Sequence, residues 1–474
     1  MIFCEVIKVV FSGIPFLFYF LPLFLLIYFV SPGKLKNFVI LLFSLIFYAW
    51  GEPIYISLLI LSSVVDYMNG RMLEKFDGQR GKQRIFLVVS VVVNLGLMGI
   101  FKYATLFITS INSVFGTHIK DPKLALPLGI SFFTFQTMSY SIDVYRKNVK
   151  AEHNFLDYMC YVSMFPQLVA GPIVRYEDVH RELNHRTMSL DKLSDGTTRF
   201  LMGLFKKVLL ANQIGSLWDK VLASGDRSFA FAWLGLLAFS FQIYFDFSGY
   251  SDMAIGMGKI MGFNYPENFN YPYICKSVTD FWRRWHMTLS TWFRDYVYIP
   301  LGGNRKGMKR QLLNLMIVWG LTGFWHGASW NYLLWGLYYG IILIIEKLTR
   351  LPEKLPAWLD HIMSLIIVML GWMIFAVEDI KKLGTYATQV LGFGAKGFAG
   401  SEFFYQLRNY GVIILCCGLF SMPVYKKLKA YGEKNEKAGN VLTVCGVLAG
   451  CVLTVVCIAM LVADSYNPFL YFRF

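Results

Sequence analysis

Between Gln311 and Ile345 the chain runs for 35 residues without an Asp, Glu, Lys or Arg. Three further uncharged runs span Val9–Gly33, Ser228–Phe245 and Gly439–Ala463. A helix crosses the hydrocarbon core of a bilayer with about 20 apolar residues. In lipid every backbone N–H and C=O must be satisfied within the structure, which leaves helices and closed barrels. Barrel strands would read as segments of about 10 residues with alternating polarity, and these runs do not alternate. The fold class is therefore all-α, a polytopic integral membrane protein. Composition agrees: 16% of the 474 residues are charged and 56% are apolar, against about 25% charged in soluble domains. Soluble-enzyme, disordered and collagen-like classes are excluded.

The net charge is +15, which raises the question of nucleic acid. The basic residues, however, gather in short loops between apolar runs: Arg71–Arg84, Arg305–Arg310 and Lys426–Lys437. That is the distribution of the positive-inside rule; it places these loops in the cytoplasm and leaves no basic nucleic-acid-binding domain. The eight cysteines contain no Cys-x-x-Cys pair and sit mostly in apolar runs, where cysteine behaves as a small hydrophobe. Neither a disulfide framework nor a metal site is expected. The first apolar run exceeds a signal-peptide core and lacks a small-x-small cleavage site, so it is read as a retained span.

Apolar windows fall near 11–31, 37–50, 53–68, 85–101, 123–142, 156–171, 197–213, 229–247, 311–325, 328–345, 362–377, 408–424 and 439–463. About eleven true crossings are expected, the rest being re-entrant or interfacial. No repeat or linker divides the chain, so residues 1–474 are expected to form one integral domain.

Three segments carry chemistry. Residues 276–299 read as one amphipathic helix N-capped by Ser277, with Trp282, Trp285, His286, Leu289, Phe293 and Tyr296 on one face. An interfacial helix explains most of that pattern, but leaves His286 among tryptophans unexplained. The 35-residue run is too long for one span and should break near Gly320, Gly323, Gly327 and Ser329, where His326 sits. A titratable group at membrane depth is read as functional by default; the alternative is a histidine bonded to a neighbouring helix. Third, Asp246 and Asp252 close the run from Ser228. They either orient a histidine or a cation, or belong to helix caps, with Ser251 and Asp252 at an N-cap position.

These residues also carry a resemblance. FWRRWHMTLSTWFRDYVYIPLGGNRKG, GFWHGASWNYLLWG, PLGISFFTFQTMSYSIDVYR, FPQLVAGPIVRYED and FDFSGYSDMAIGMGKIMGFNYPENFNYPY resemble the membrane-bound O-acyltransferase superfamily, in particular its alginate O-acetyltransferase branch. The likeness covers about residues 12–345, leaving 346–474 as C-terminal transmembrane helices, and the first eight residues would be an extension or a misassigned start. It implies a ring of membrane helices around a central tunnel in a bacterial cytoplasmic membrane. It implies His326 as the catalytic base and His286 as its supporting residue. Trp285, Trp325 and Trp330 would exclude water, and Asp246, Arg294, Asp295, Asn304 and Arg305 are further candidate tunnel residues. The donor would be acetyl-CoA or another acyl thioester arriving from the cytoplasm, with no tightly bound cofactor and no metal. The acyl group would pass to an extracellular partner of the SGNH-hydrolase type and on to a polysaccharide.

Two alternatives stand beside O-acetylation. One is D-alanyl transfer to teichoic acid from a carrier-protein thioester. The other, from a different class, is a transporter or flippase that would need neither histidine as a base.

Overall fold

The computed structural model describes residues 11–463 and 469–470; the expected N-terminal extension lies outside the described residues. Among the described residues the chain is helices and turns, with no strand. Seven helices are long and apolar enough to cross a membrane: Gly33–Gly51, Arg80–Phe115, Phe229–Ile260, Trp330–Thr349, Ala357–Ala376, Ser401–Phe420 and Glu436–Ala463. Other expected windows form helices that are shorter or more polar, such as Ile56–Lys75, Ile130–Arg146, Phe155–Ser163 and Met308–His326.

The chain forms two compact units, Met1–Phe200 with Ser251–Pro266, and Leu201–Tyr250 with Glu267–Phe474. The first unit explains why some of its helices are too polar to score as spans. Asp66, on the Ile56–Lys75 helix, is fully buried and accepts hydrogen bonds from Ser90, Asn94 and Ser141. Asn94 in turn accepts from Ser62 at 2.8 Å and from Thr137 at 3.0 Å. A buried carboxylate is tolerated only when its lone pairs are satisfied, and two neighbouring helices, Arg80–Met98 and Ile130–Arg146, supply the donors here.

The second unit is built on a helical hairpin, Met308–His326 and Trp330–Thr349. The expected break in the uncharged run falls at Gly327–Ser329, directly after His326; Gly320 and Gly323 lie within the first helix. Gly323 and Gly336 let the two helices touch backbone to backbone: a Cβ on Gly336 would sit 3.0 Å from the Gly323 Cα and press on the Trp319 carbonyl. Without a hydrophobic driving force between helices in lipid, such close approach is what packs them. The Ala357–Ala376 helix then covers the hairpin, with Tyr338 donating to the Ile367 carbonyl at 2.8 Å and Asn331 to that of Ile374 at 3.1 Å.

Two expectations are corrected. The amphipathic segment is not one helix but two short ones, Val278–Trp282 and Met287–Phe293, separated by a turn at His286. The Ser277 cap is as expected, its hydroxyl accepting from the Asp280 N–H at 2.9 Å. Ser251 and Asp252 cap nothing, because the Phe229–Ile260 helix continues through both. Asp246 and Asp252 are instead held by charge: Lys207 Nζ lies 2.6 Å from Asp246 in the second unit, and Arg199 lies 2.6 Å from Asp252 in the first.

Gly336→Ala should force the hairpin apart at a cost of about 1–3 kcal/mol. Gly320→Ala, with open space at its Cβ, should be neutral or stabilising by up to about 1 kcal/mol. Melting temperatures of the two variants in detergent check the contrast; equal values would mean that the helices do not cross there.

Candidate functional site

His286 sits on the turn between the two short helices with φ 44° and ψ 53°. A bulky residue in this left-handed region is uncommon and costs free energy. The turn is held from outside by backbone bonds, Met287 N–H to the Asn268 carbonyl at 3.0 Å and Asn270 N–H to the Arg284 carbonyl at 2.9 Å. It is also held from below. Glu346, which ends the uncharged run, accepts from the N–H groups of Val278 and Thr279 at 2.7 and 2.9 Å and from the Thr279 hydroxyl at 2.8 Å. These are orphan donors of a helix N-terminus, and a carboxylate is suited to them.

The imidazole of His286 is buried, 1% exposed. Its Nδ1 is 3.0 Å from Asn268 Oδ1, and Phe247 meets the ring edge-on at 4.7 Å between centroids. Burial pushes its pKa down to about 3, so the ring is neutral near pH 7.

His326 is the last residue of its helix and is also buried. Its ring packs against Trp325 and Trp335 at 5.0 Å each and against Phe375 at 5.5 Å. Trp325 lies 6.1 Å from His286 as well, so one indole is shared by both imidazoles. Trp282, Trp285, Trp319, Trp372 and Tyr339 extend the same aromatic interior.

Two cavities lie near this interior, and the first borders it directly. The first, about 720 Å³, is lined by His286, Trp282, Trp319 and Thr322 and by Arg283, Arg294, Lys347, Arg350, Glu346 and Glu353. Thr322 stands one turn before His326 on the same helix. Four basic groups against two acidic ones give this cavity a positive lining. The second, about 750 Å³, is lined by Asp219, Asp226, Glu378, Asp379, Lys381 and Lys382 among others. Glu378 accepts from the Tyr332 hydroxyl at 3.2 Å, and Tyr332 packs on Phe375, the neighbour of His326. One cavity involves the C-terminal end of the 330–349 helix; the other borders the C-terminal end of the 357–376 helix that runs back along it. Helices of 20 residues are about 30 Å long.

Of the expected site residues, the structure brings together His286, His326, Trp285 and Trp325. Trp330 is separate, 49% exposed at the start of its helix. Asp246 is engaged by Lys207 and by the Leu470 N–H at 2.8 Å. Arg294 lines the first cavity and pairs with Asp295 at 2.7 Å. Asn304 and Arg305 are exposed on a turn in which Gly302 and Gly303 have positive φ. Sequence reasoning missed Asn268 and Glu346. Glu346 had a signal, as the first charge after 35 uncharged residues; Asn268 had only its place in an aromatic, Pro-rich connection. Among the described residues no three His, Cys, Asp or Glu side chains gather to hold a metal.

A helical membrane protein with two buried histidines, one of them bordering a basic cavity, is thus defined, and comparison gives its class. Residues 100–360 match the membrane-bound O-acyltransferase family. A "Probable alginate O-acetylase AlgI" of Azotobacter vinelandii is 38% identical over 499 residues, covering 98% of this chain and 100% of the relative. A peptidoglycan O-acetyltransferase of Helicobacter pylori is 32% identical over 519 residues, covering 99% and 98%. A teichoic acid D-alanyltransferase of Bacillus subtilis is 29% identical over 269 residues, covering 52% and 68%. The chain belongs to the membrane-bound O-acyltransferase family, and it is an O-acyltransferase.

Glu346→Ala should strip the N-terminus of the 278–282 helix of its acceptor and cost about 1–3 kcal/mol. Glu346→Gln, which keeps one carbonyl oxygen, should fall between. Thermal unfolding in detergent measures both; an unchanged midpoint in Glu346→Ala would remove the cap from the account of the His286 turn.

Proposed function

We propose that the chain moves an acetyl group from acetyl-CoA in the cytoplasm across a bacterial cytoplasmic membrane, for O-acetylation of an exported or cell-wall polysaccharide. The observation that carries this reading is the pair of buried imidazoles sharing Trp325, with a basic cavity on one side and a second cavity toward the other end of the same helices. The positive lining of the first cavity suits the phosphates of a CoA thioester, and its volume lies within the roughly 300–1,000 Å³ of small-molecule sites. The second cavity would admit the acceptor hydroxyl, supplied by an extracellular partner of the SGNH-hydrolase type that completes transfer to the polysaccharide.

In this reaction His326 is the general base. It takes the proton of the acceptor hydroxyl as that oxygen attacks the thioester carbonyl carbon. The C–O bond forms, the C–S bond breaks, and the CoA thiolate leaves and is protonated. Trp325, Trp335 and Phe375 around His326 keep out the water that would otherwise hydrolyse the thioester. The acetyl reading is favoured over D-alanyl transfer because the O-acetylating relatives align over essentially the whole chain, whereas the D-alanyltransferase covers about half of it.

Purified protein in nanodiscs, given acetyl-CoA and a small alcohol such as glycerol as acceptor, should release free thiol with time. His326→Ala should remove this release, with the folded protein retained by size exclusion. Wild-type rates in His326→Ala would overturn the mechanism. Turnover with a D-alanyl carrier protein but not with acetyl-CoA would replace the donor.

A further inference from the structure

Residues 267–273 lie in the same compact unit as His286, and one of them meets it through both backbone and side chain. Asn268 is fully buried. Its backbone carbonyl holds the Met287 N–H, and its side-chain Oδ1 lies 3.0 Å from His286 Nδ1 and 2.9 Å from the Thr288 hydroxyl, with the Thr288 N–H at 3.4 Å. An amide group that meets a backbone N–H must turn its oxygen toward it. His286 Nδ1 therefore carries the proton in this bond. The other nitrogen, Nε2, is buried with no hydrogen-bond partner among the described residues, and His286 borders the first cavity.

We infer that Asn268 is a positioning residue for His286, fixing the Nδ1–H tautomer so that Nε2 meets the substrate as an acceptor. The inference rests on the acyltransfer reading given above and adds to it the direction of a proton. With Nδ1–H committed to Asn268, Nε2 can receive a proton or a hydrogen bond. It cannot donate one to a thioester oxygen until it has itself been protonated. His286 thus serves a group bearing a hydrogen, the attacking hydroxyl or an amide N–H of the donor's arm, rather than the developing oxyanion. The left-handed backbone at His286 fits this role. It turns the ring onto Asn268, against Phe247 and beside Trp325.

The test is thiol release from acetyl-CoA, with a small alcohol such as glycerol as acceptor, in nanodiscs by wild type, Asn268→Ala, Asn268→Asp and His286→Ala, each across pH. Asn268→Ala should lower kcat by about 10- to 100-fold, a share of the roughly 10²–10⁴-fold that a positioned acid–base group supplies. KM for acetyl-CoA should change little, since a tautomer acts on the reacting proton and not on binding. Asn268→Asp keeps the acceptor and should recover activity over Asn268→Ala. Its carboxylate favours the imidazolium, so the acid limb of its kcat profile should move to higher pH. The other charged groups lining the cavity, Arg283, Arg294, Glu346, Lys347, Arg350 and Glu353, are the same in every variant and cannot cause that shift. A purely structural asparagine would leave the profile where it was. Wild-type kcat in Asn268→Ala, or an unmoved profile in Asn268→Asp, overturns the inference while an inactive His286→Ala leaves the role of His286 standing. Should Asn268→Ala fail to fold, Asn268→Asp decides alone. Full activity in both His286→Ala and His326→Ala would instead remove the acyltransfer mechanism on which it rests.

Discussion

Withdrawing an imidazole from water takes away two hydrogen bonds, and the surrounding fold must return or deliberately withhold each of them. At His286 the fold returns one. Asn268 supplies the acceptor for Nδ1, and among the described residues nothing answers Nε2. The consequence reaches outward through the second unit. The ring can be presented this way only if the backbone turns through a left-handed residue, and that turn needs the bonds from Met287 to Asn268 and from Asn270 to Arg284. The helix leading into the turn is so short that its N-terminus needs a carboxylate from elsewhere, which Glu346 provides. A single buried ring thereby ties together the 263–273 connection, the two short helices and the far end of the 330–349 helix.

The hairpin decides how deep the second histidine lies. Because Gly323 and Gly336 allow backbone contact, the break at Gly327–Ser329 falls inside a packed unit instead of facing lipid, where its polar groups would be too costly. Large aromatic rings then fill the space beside this close crossing. Trp319, Trp335 and Tyr339 pack on one another, and Trp335 reaches His326. Small residues at the crossing and large ones around it are two halves of one packing solution. Together they make an aromatic interior that the first cavity borders at Trp282 and Trp319.

How much of this was legible in the sequence follows from which forces act locally. Span-length uncharged runs are a local property, so the membrane class and the break after His326 could be read directly. The Ser277 cap could be read for the same reason. The turn at His286 could not, because the helical periodicity of residues 276–299 is sound and only tertiary bonds from Asn268 and Glu346 override it. Asp246 and Asp252 looked like residues flanking a cap. Their partners, Lys207 and Arg199, lie about 40 to 50 positions away, beyond any pattern that spacing reveals. Thr288 illustrates the same limit. Helical geometry puts it opposite the apolar face, and the broken helix buries it against Asn268.

The two histidines occupy unlike electrostatic settings, and this argues for unlike roles. His326 closes a 19-residue helix, whose carbonyl end carries partial negative charge and favours a positive ring beside it. In the proposed reaction that helix end would favour the ring once it has taken the proton. His286 stands at the N-terminal end of the short Met287–Phe293 helix, whose partial positive charge opposes a charged ring, its Nδ1 meets a neutral amide, and burial opposes its charge as well. It is suited to orienting a hydrogen-bearing group, not to storing a full proton. In the proposed reaction the division of labour therefore arises from backbone placement: one imidazole at the end of a long dipole, the other on a strained turn held by asparagine.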